Sequence, residues 1–326
     1  MTFWFVLILA YLFEFANGWT DAPNSIATVV STRVLRPFQA VAMASLLNLI
    51  GALTGTAVAE TISEDIVDIR FITLETIAAV LLAATLWALG AQYFGLPSSE
   101  SHALIAGLLG AGFAAGGSEA LLSEGPRKAL IGLVTSPVGG FFLALTLMVA
   151  IYWIFAKVRP SFVRRLFGRG QIVSAAAMAY THGLNDAQKT MGIIALIIAL
   201  RNGGSIENLG SIPLWVILSA GIVMGAGTMV GGWRVIRTIG LRLTKLEPVH
   251  GFAAETGAAV VIFGASRFGI PVSTTHAIGS AIMGVGATER LSAVRWGVAG
   301  QVVMAWILTW PSCFALAYLL QKLFTI

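Results

Sequence analysis

Two short stretches concentrate the side chains able to do chemistry. In FEFANGWTDAPNSIAT, Glu14, Asn17, Thr20, Asp21, Asn24, Ser25 and Thr28 stand inside an apolar run, and in YTHGLNDAQKTMGIIA the same is true of His182, Asn185, Asp186, Gln188, Lys189 and Thr190. Polar groups surrounded by hydrocarbon are costly unless they bind something, so ionisable residues in such runs mark functional sites by default. A carboxylate in each stretch points to a pair of cation sites, with Thr20, Asp21 and Asn24 on one side and Asn185 and Asp186 on the other. For a sodium-coupled protein Asp21 and Asp186 are the metal-ligating pair. The competing reading has both aspartates capping interrupted helices, and their recurrence at matched positions favours binding. Gly18 and Pro23 predict a break in the first stretch that frees backbone groups for an ion.

A second pair of stretches is rich in hydroxyls. Ser98, Ser99 and Ser101 follow Pro97, and Ser273, Thr274 and Thr275 follow Pro271. Proline followed by serine or threonine is a helix-start signature. A helix start presents unpaired N–H groups and partial positive charge, so two such ends facing each other form a cradle for an oxyanion. Ordinary capping and small-residue packing between helices is the plainer alternative.

Asn24, Gln188 and Lys189 complete the candidate anion-contacting set. Lys189 supplies positive charge, or neutralises Asp186, or extends its stem to the membrane surface. Glu255, at the start of a later apolar segment, is a further candidate cation ligand. His102 and His276 occupy equivalent places and either relay protons or bond a neighbouring helix.

The elements that must position these groups are membrane spans. Of 326 residues, 57% are hydrophobic and 11% charged, with a mean hydropathy of +0.86, whereas soluble domains carry roughly 25% charged residues. Ten apolar segments are expected, near 3–35 (interrupted), 38–59, 72–93, 98–116, 129–155, 171–200, 213–232, 250–266, 272–288 and 294–322. The net charge of +5 is no nucleic-acid footprint, because the basic residues sit in short loops between these segments, as at Lys157, Arg159, Arg164, Arg165 and Arg169. Of five basic groups, all but Arg127 with Lys128 fall on one side, opposite the acidic loop of Glu60, Glu64, Asp65 and Asp68; both termini then face outward. The single Cys313 has no partner for a disulfide, and no removable signal peptide is expected.

The chain also repeats itself. Gly18, Asp21 and Ala22 recur as Gly183, Asp186 and Ala187. GLPSSESHALIAGLLGAG, from Gly95, matches GIPVSTTHAIGSAIMGVG, from Gly269, at seven positions that include Pro97, Ser99 and His102. Five segments per copy is an odd number, so the second copy enters the membrane from the opposite side. The expected fold is an all-α integral membrane protein of two inverted-topology repeats, 1–160 and 171–326, with broken or re-entrant helices and a short basic cytoplasmic linker at 156–170.

These residues resemble the inorganic phosphate transporter family, the PiT permeases, whose fingerprint is a twice-occurring motif close to G-A-N-D-x-A-N. Here it reads G-W-T-D-A-P-N from Gly18 and G-L-N-D-A-Q-K from Gly183, and P-V-S-T-T-H from Pro271 and A-E-T-G-A-A from Ala254 are similar to the same family. Thr20, Pro23 and Lys189 depart from the fingerprint, and the Gln-Lys ending is similar to bacterial members. The resemblance implies symport of phosphate, or of sulfate, with Na⁺ or H⁺, no other cofactor, a bacterial inner membrane and a homodimer.

The expectation is therefore a secondary active oxyanion symporter working by alternating access. An anion channel and an intramembrane enzyme are the other classes. The chain lacks H-E-x-x-H and a G-x-S-x-G elbow, and a catalytic dyad has no use for two related copies, so no enzyme is expected.

Overall fold

The computed structural model describes residues 1–203 and 211–325. Among them are twelve α-helices: α1 (Phe3–Ser31), α2 (Pro37–Ala52), α3 (Ala57–Glu64), α4 (Leu74–Phe94), α5 (Glu100–Gly116), α6 (Glu124–Phe155), α7 (Pro160–Arg201), α8 (Leu214–Val230), α9 (Trp233–Arg237), α10 (Pro248–Arg267), α11 (Thr274–Glu289) and α12 (Trp296–Phe324). The fold is all-α, as the sequence predicts, and each expected apolar segment overlaps at least one of these helices.

Among the described residues six helices, α1, α4, α5, α6, α10 and α12, are long and apolar enough to cross a bilayer, and two bent pairs raise the number to eight. In these pairs α2 turns by 69° into α3, and α8 turns by 59° into the stretch that begins with α9. Segment 38–59, expected as one run, is thus divided, because Thr54 and Gly55 follow the end of α2 and the chain restarts at Ala57. With 42 residues α7 is about 63 Å long at ~1.5 Å per residue. The charged cluster at its centre keeps it from passing as an apolar span.

One expectation needs correction. Pro23 lies inside a continuous α1, so the first segment is not interrupted there: the proline leaves a free carbonyl one turn earlier, but packing on every side holds the helix together. Within 156–170, Pro160 opens α7, and Arg164, Arg165 and Arg169 lie on its first turns. A proline at the first helical position lacks only an N–H that would be unpaired anyway.

The helices form an inner and an outer layer. Leu130, Val134, Phe142 and Trp153 of α6 and Met304, Ile307, Leu319 and Leu323 of α12 are exposed, the apolar outside that a lipid solvent demands. α1, α5, α7 and α11 form the inside, with their central residues buried on all faces.

Contacts between the two parts of the chain are reciprocal. α1 packs on α8 and α7 on α2, while α5 packs on α12 and α11 on α6. The closest approaches use glycine. A Cβ on Gly18 would lie 2.3 Å from Met224 O, and one on Gly183 would lie 2.1 Å from Asn48 O. In return, Gly227 faces Phe15 O and Gly51 faces Tyr180 O, at 2.2 and 2.1 Å from an added Cβ. Backbone meets backbone at these four places, which only a residue without a side chain allows.

Candidate functional site

Four helices meet at one buried polar centre. α1 brings Thr20, Asp21 and Asn24 from its middle, and α7 brings His182, Asn185, Asp186 and Lys189 from its own. α5 and α11 bring only their first turns, so two helix starts point at two helix middles. None of these residues is more than 6% exposed, which makes the centre occluded from both sides.

The starts form for a local reason. Ser99 Oγ accepts from His102 N at 3.3 Å and Ser273 Oγ accepts from His276 N at 3.1 Å, each satisfying an N–H that the first turn leaves unpaired. Ser99 and Ser273 are thereby committed to capping. The following residues face the centre: Glu100 and Ser101 on α5, Thr274 and Thr275 on α11.

Bonds across the centre join sequence-distant residues. Asn24 Nδ2 donates to Thr275 Oγ1 at 2.9 Å and Thr274 Oγ1 at 3.1 Å. Thr275 Oγ1 donates to Asp21 Oδ1 and Thr274 Oγ1 to Asp186 Oδ2, both at 3.2 Å. Lys189 Nζ donates to Asp186 and to Ser101, and Ser101 Oγ donates to Val272 O at 2.8 Å. Asn185 fits its surroundings with the amide nitrogen toward Val272 O and Asp186 Oδ1, at 3.1 and 3.2 Å, and the amide oxygen toward Ser266 Oγ.

Asp21, His182 and Asp186 each offer an atom to one cluster within 4.8 Å. Both aspartates sit in the middle of continuous helices, so neither is a cap. His182 Nδ1 lies 3.0 Å from Asn48 Oδ1, and the nitrogen of that same amide donates to Thr228 Oγ1 at 2.8 Å. Hence the Nδ1 proton is the donor, an assignment from the network. His182 Nε2 then faces Asp186 Oδ2 at 3.2 Å. Oxygen and imidazole ligands of this kind suit a cation whose charge offsets the carboxylates.

The expected residues divide into two groups. Thr20, Asp21, Asn24, Ser98, Ser101, Asn185, Asp186, Lys189, Thr274 and Thr275 come together, and Lys189, fully buried, does not reach the membrane surface. Gln188 lies outside: its Oε1 accepts from Val58 N at 2.7 Å, holding the start of α3. Glu255 also lies apart, bonded to Thr28, Ser174 and Gln171. His102 and His276 meet edge to face with ring centroids 4.7 Å apart, and His276 stacks on Trp306.

Glu100 and Asn48 are central residues outside the expected set. Glu100 Oε1 accepts from Thr20 Oγ1 at 3.1 Å and Ser98 Oγ at 3.3 Å. Its position between two serines, in the first turn of a helix where negative charge is favoured, was the available signal; Asn48 carried only the weaker one of a lone amide in an apolar run. With Glu100 counted, three carboxylates (Asp21, Glu100, Asp186) surround one ammonium, Lys189.

A charged centre closed on all sides, reached by helix starts and set in a lipid-facing helical bundle, defines a multi-span membrane transport protein. Residues 17–317 match the phosphate transporter family, and the chain belongs to that family, which consists of transporters and not enzymes. It is 47% identical over 308 residues to a "Probable low-affinity inorganic phosphate transporter" of Rhizobium meliloti (strain 1021). It is 44% identical over 310 residues to a protein of the same description from Bacillus subtilis (strain 168). Each match spans 94% of this chain and 92% of the relative. Among solved structures, one described as "The sodium-dependent phosphate transporter" superposes with a TM-score of 0.87 at 25% identity, covering 100% of this chain and 99% of that one. The resemblance to the phosphate permeases is borne out.

Proposed function

We propose that this protein is a secondary active symporter that carries inorganic phosphate across a bacterial inner membrane together with Na⁺ or H⁺. The observation that carries the reading is the charge of the occluded centre, where three carboxylates face a single lysine amid hydroxyl and amide donors. Two like charges about 4 Å apart repel by about 4 kcal/mol at an effective dielectric of about 20. A phosphate anion therefore enters this centre only with cations that neutralise the carboxylates, and that requirement couples the two fluxes. The solved relative described as sodium-dependent favours Na⁺.

In this reading Ser101, Thr274, Thr275, Asn24 and Lys189 donate to the oxyanion, beside the N–H groups of the two helix starts. Asp21, Asp186, Thr20 and Asn185 hold the coupling cation, with His182 oriented by Asn48. The reciprocal packing of α1 on α8 and α7 on α2 supports two inverted halves, 1–160 and 171–326. Their relative rocking, with the bends at α2–α3 and α8–α9 as moving parts, exposes the centre to each side in turn. Outward-facing termini and a homodimer complete the proposal.

Purified protein in liposomes tests it. Labelled phosphate should accumulate against its gradient only when a Na⁺ or H⁺ gradient is imposed; downhill flux without either ion would make the protein a channel. Competition by sulfate in the same vesicles decides whether phosphate or a wider class of oxyanion is the cargo.

A further inference from the structure

We propose a second cation site on α1, built from Glu14 and Asn17, that takes one Na⁺ ion apart from the central cluster. Its role in transport rests on the symport reading, but its existence does not.

Glu14 and Asn17 are three residues apart and so share a helix face. Both are fully buried. Glu14 Oε2 accepts from the Thr190 hydroxyl of α7 and, at 3.5 Å, from Asn17 Nδ2. Glu14 Oε1 and Asn17 Oδ1 have no partner among the described residues. An ionised carboxylate and an amide oxygen are both acceptors, so neither can satisfy the other. The lysine next to Thr190 is already taken by Asp186 and Ser101.

Glu255 provides the internal comparison. It is also fully buried, yet donors reach both of its oxygens: Thr28 and Gln171 at Oε1, Ser174 at Oε2. Its carboxyl group is complete without an ion, and that of Glu14 is not. Carboxylate, amide oxygen and hydroxyl form an all-oxygen set, which suits a hard cation. A metal ion serves several oxygens at once, as two orphaned acceptors and the Thr190 oxygen require.

The site is separate from the central one. Glu14 and Asp21 are seven positions apart on α1, roughly 10 Å along the axis at ~1.5 Å per residue, too far for one ion to touch both. An ion there also neutralises a carboxylate on the approach to the centre.

The test is ²²Na⁺ binding to the purified full chain in detergent at fixed pH without phosphate, with Glu14→Gln, Asn17→Ala and Asp21→Asn in parallel. Glu14→Gln and Asn17→Ala should each remove about one bound ion per chain while Asp21→Asn retains it. Unchanged ²²Na⁺ binding in both folded variants would overturn the site, and so would a Glu14→Gln effect confined to pH dependence, which indicates a proton instead. Loss with Asp21→Asn alone leaves the symport reading intact and removes this one. Crystals of the wild-type protein soaked in Tl⁺ give the answer without any variant: an anomalous peak between Glu14 and Asn17 supports the site, and its absence there contradicts it.

Discussion

Asp21 and Asp186, far apart in the chain, bring carboxylate oxygens within 4.8 Å of each other and of a nitrogen of His182. One threonine hydroxyl from the start of α11 serves each of them, Thr275 for Asp21 and Thr274 for Asp186. In the proposed reading the anion donors Thr274 and Thr275 are thus hydrogen-bonded directly to the cation ligands, and replacing either carboxylate should disturb both fluxes. Asp21→Asn and Asp186→Asn are expected to reduce ion-driven phosphate uptake to background with the protein still in the membrane; normal uptake in both variants would contradict the assignment.

Lys189 holds Asp186 in a fully buried ion pair. Removing one partner of such a pair leaves an uncompensated charge, at a cost of about 3–5 kcal/mol. Lys189→Met should lower the melting temperature in detergent markedly, and Asp186→Asn combined with Lys189→Met should recover much of the loss. A double variant no more stable than the single one would show that the pair is not what matters.

Thr275→Val removes a hydroxyl but keeps the shape of the side chain. A hydrogen bond to a charged group contributes about 1.5–3 kcal/mol, so phosphate affinity is expected to fall roughly 10- to 100-fold. Direct binding of labelled phosphate measures this, and an unchanged affinity would move the anion elsewhere.

Glu100 adds the third carboxylate. Glu100→Gln keeps the acceptor for Thr20 and removes a charge, which should lower the cation concentration needed for half-maximal uptake at low phosphate. The curve of uptake against Na⁺ at fixed pH, or against pH at fixed Na⁺, reports the shift. An unmoved curve would place Glu100 outside the coupled set.

The backbone contacts at Gly18 and Gly183 leave no space for a side chain, since Met224 O and Asn48 O would lie 2.3 and 2.1 Å from an added Cβ. Gly183→Val is expected to separate α7 from α2 and cost more than the usual ~1–3 kcal/mol of overpacking, because backbone rather than a flexible side chain must move. Gly90 has nothing within 4 Å of an added Cβ, so Gly90→Ala should melt with the wild type.

Much of this was legible in the sequence, because hydrocarbon makes buried charge conspicuous. Asp21, Asp186 and Lys189 stood out for that reason, and Pro97 and Pro271 marked the two helix starts that aim at them. Pro23 misled, since a proline weakens a helix locally but the surrounding helices decide whether it breaks. Gln188 and Glu255 were placed near the centre by proximity in sequence and by polarity. The helix period turns Gln188 toward α3, and Glu255 meets α1 two turns beyond Asp21, at Thr28. The partnership of Asn48 with His182 depends on how α2 crosses α7, a tertiary fact that no local pattern encodes.

The central claim is that anion and cation bind one shared centre, and linkage at equilibrium tests it most directly. Binding of labelled phosphate to the purified protein is to be measured across Na⁺ concentrations at fixed pH and across pH at fixed Na⁺. The account predicts that phosphate affinity rises steeply with one of the two ions, and that phosphate raises the affinity for that ion by the same factor. Phosphate binding of equal strength at every Na⁺ concentration and every pH would contradict it.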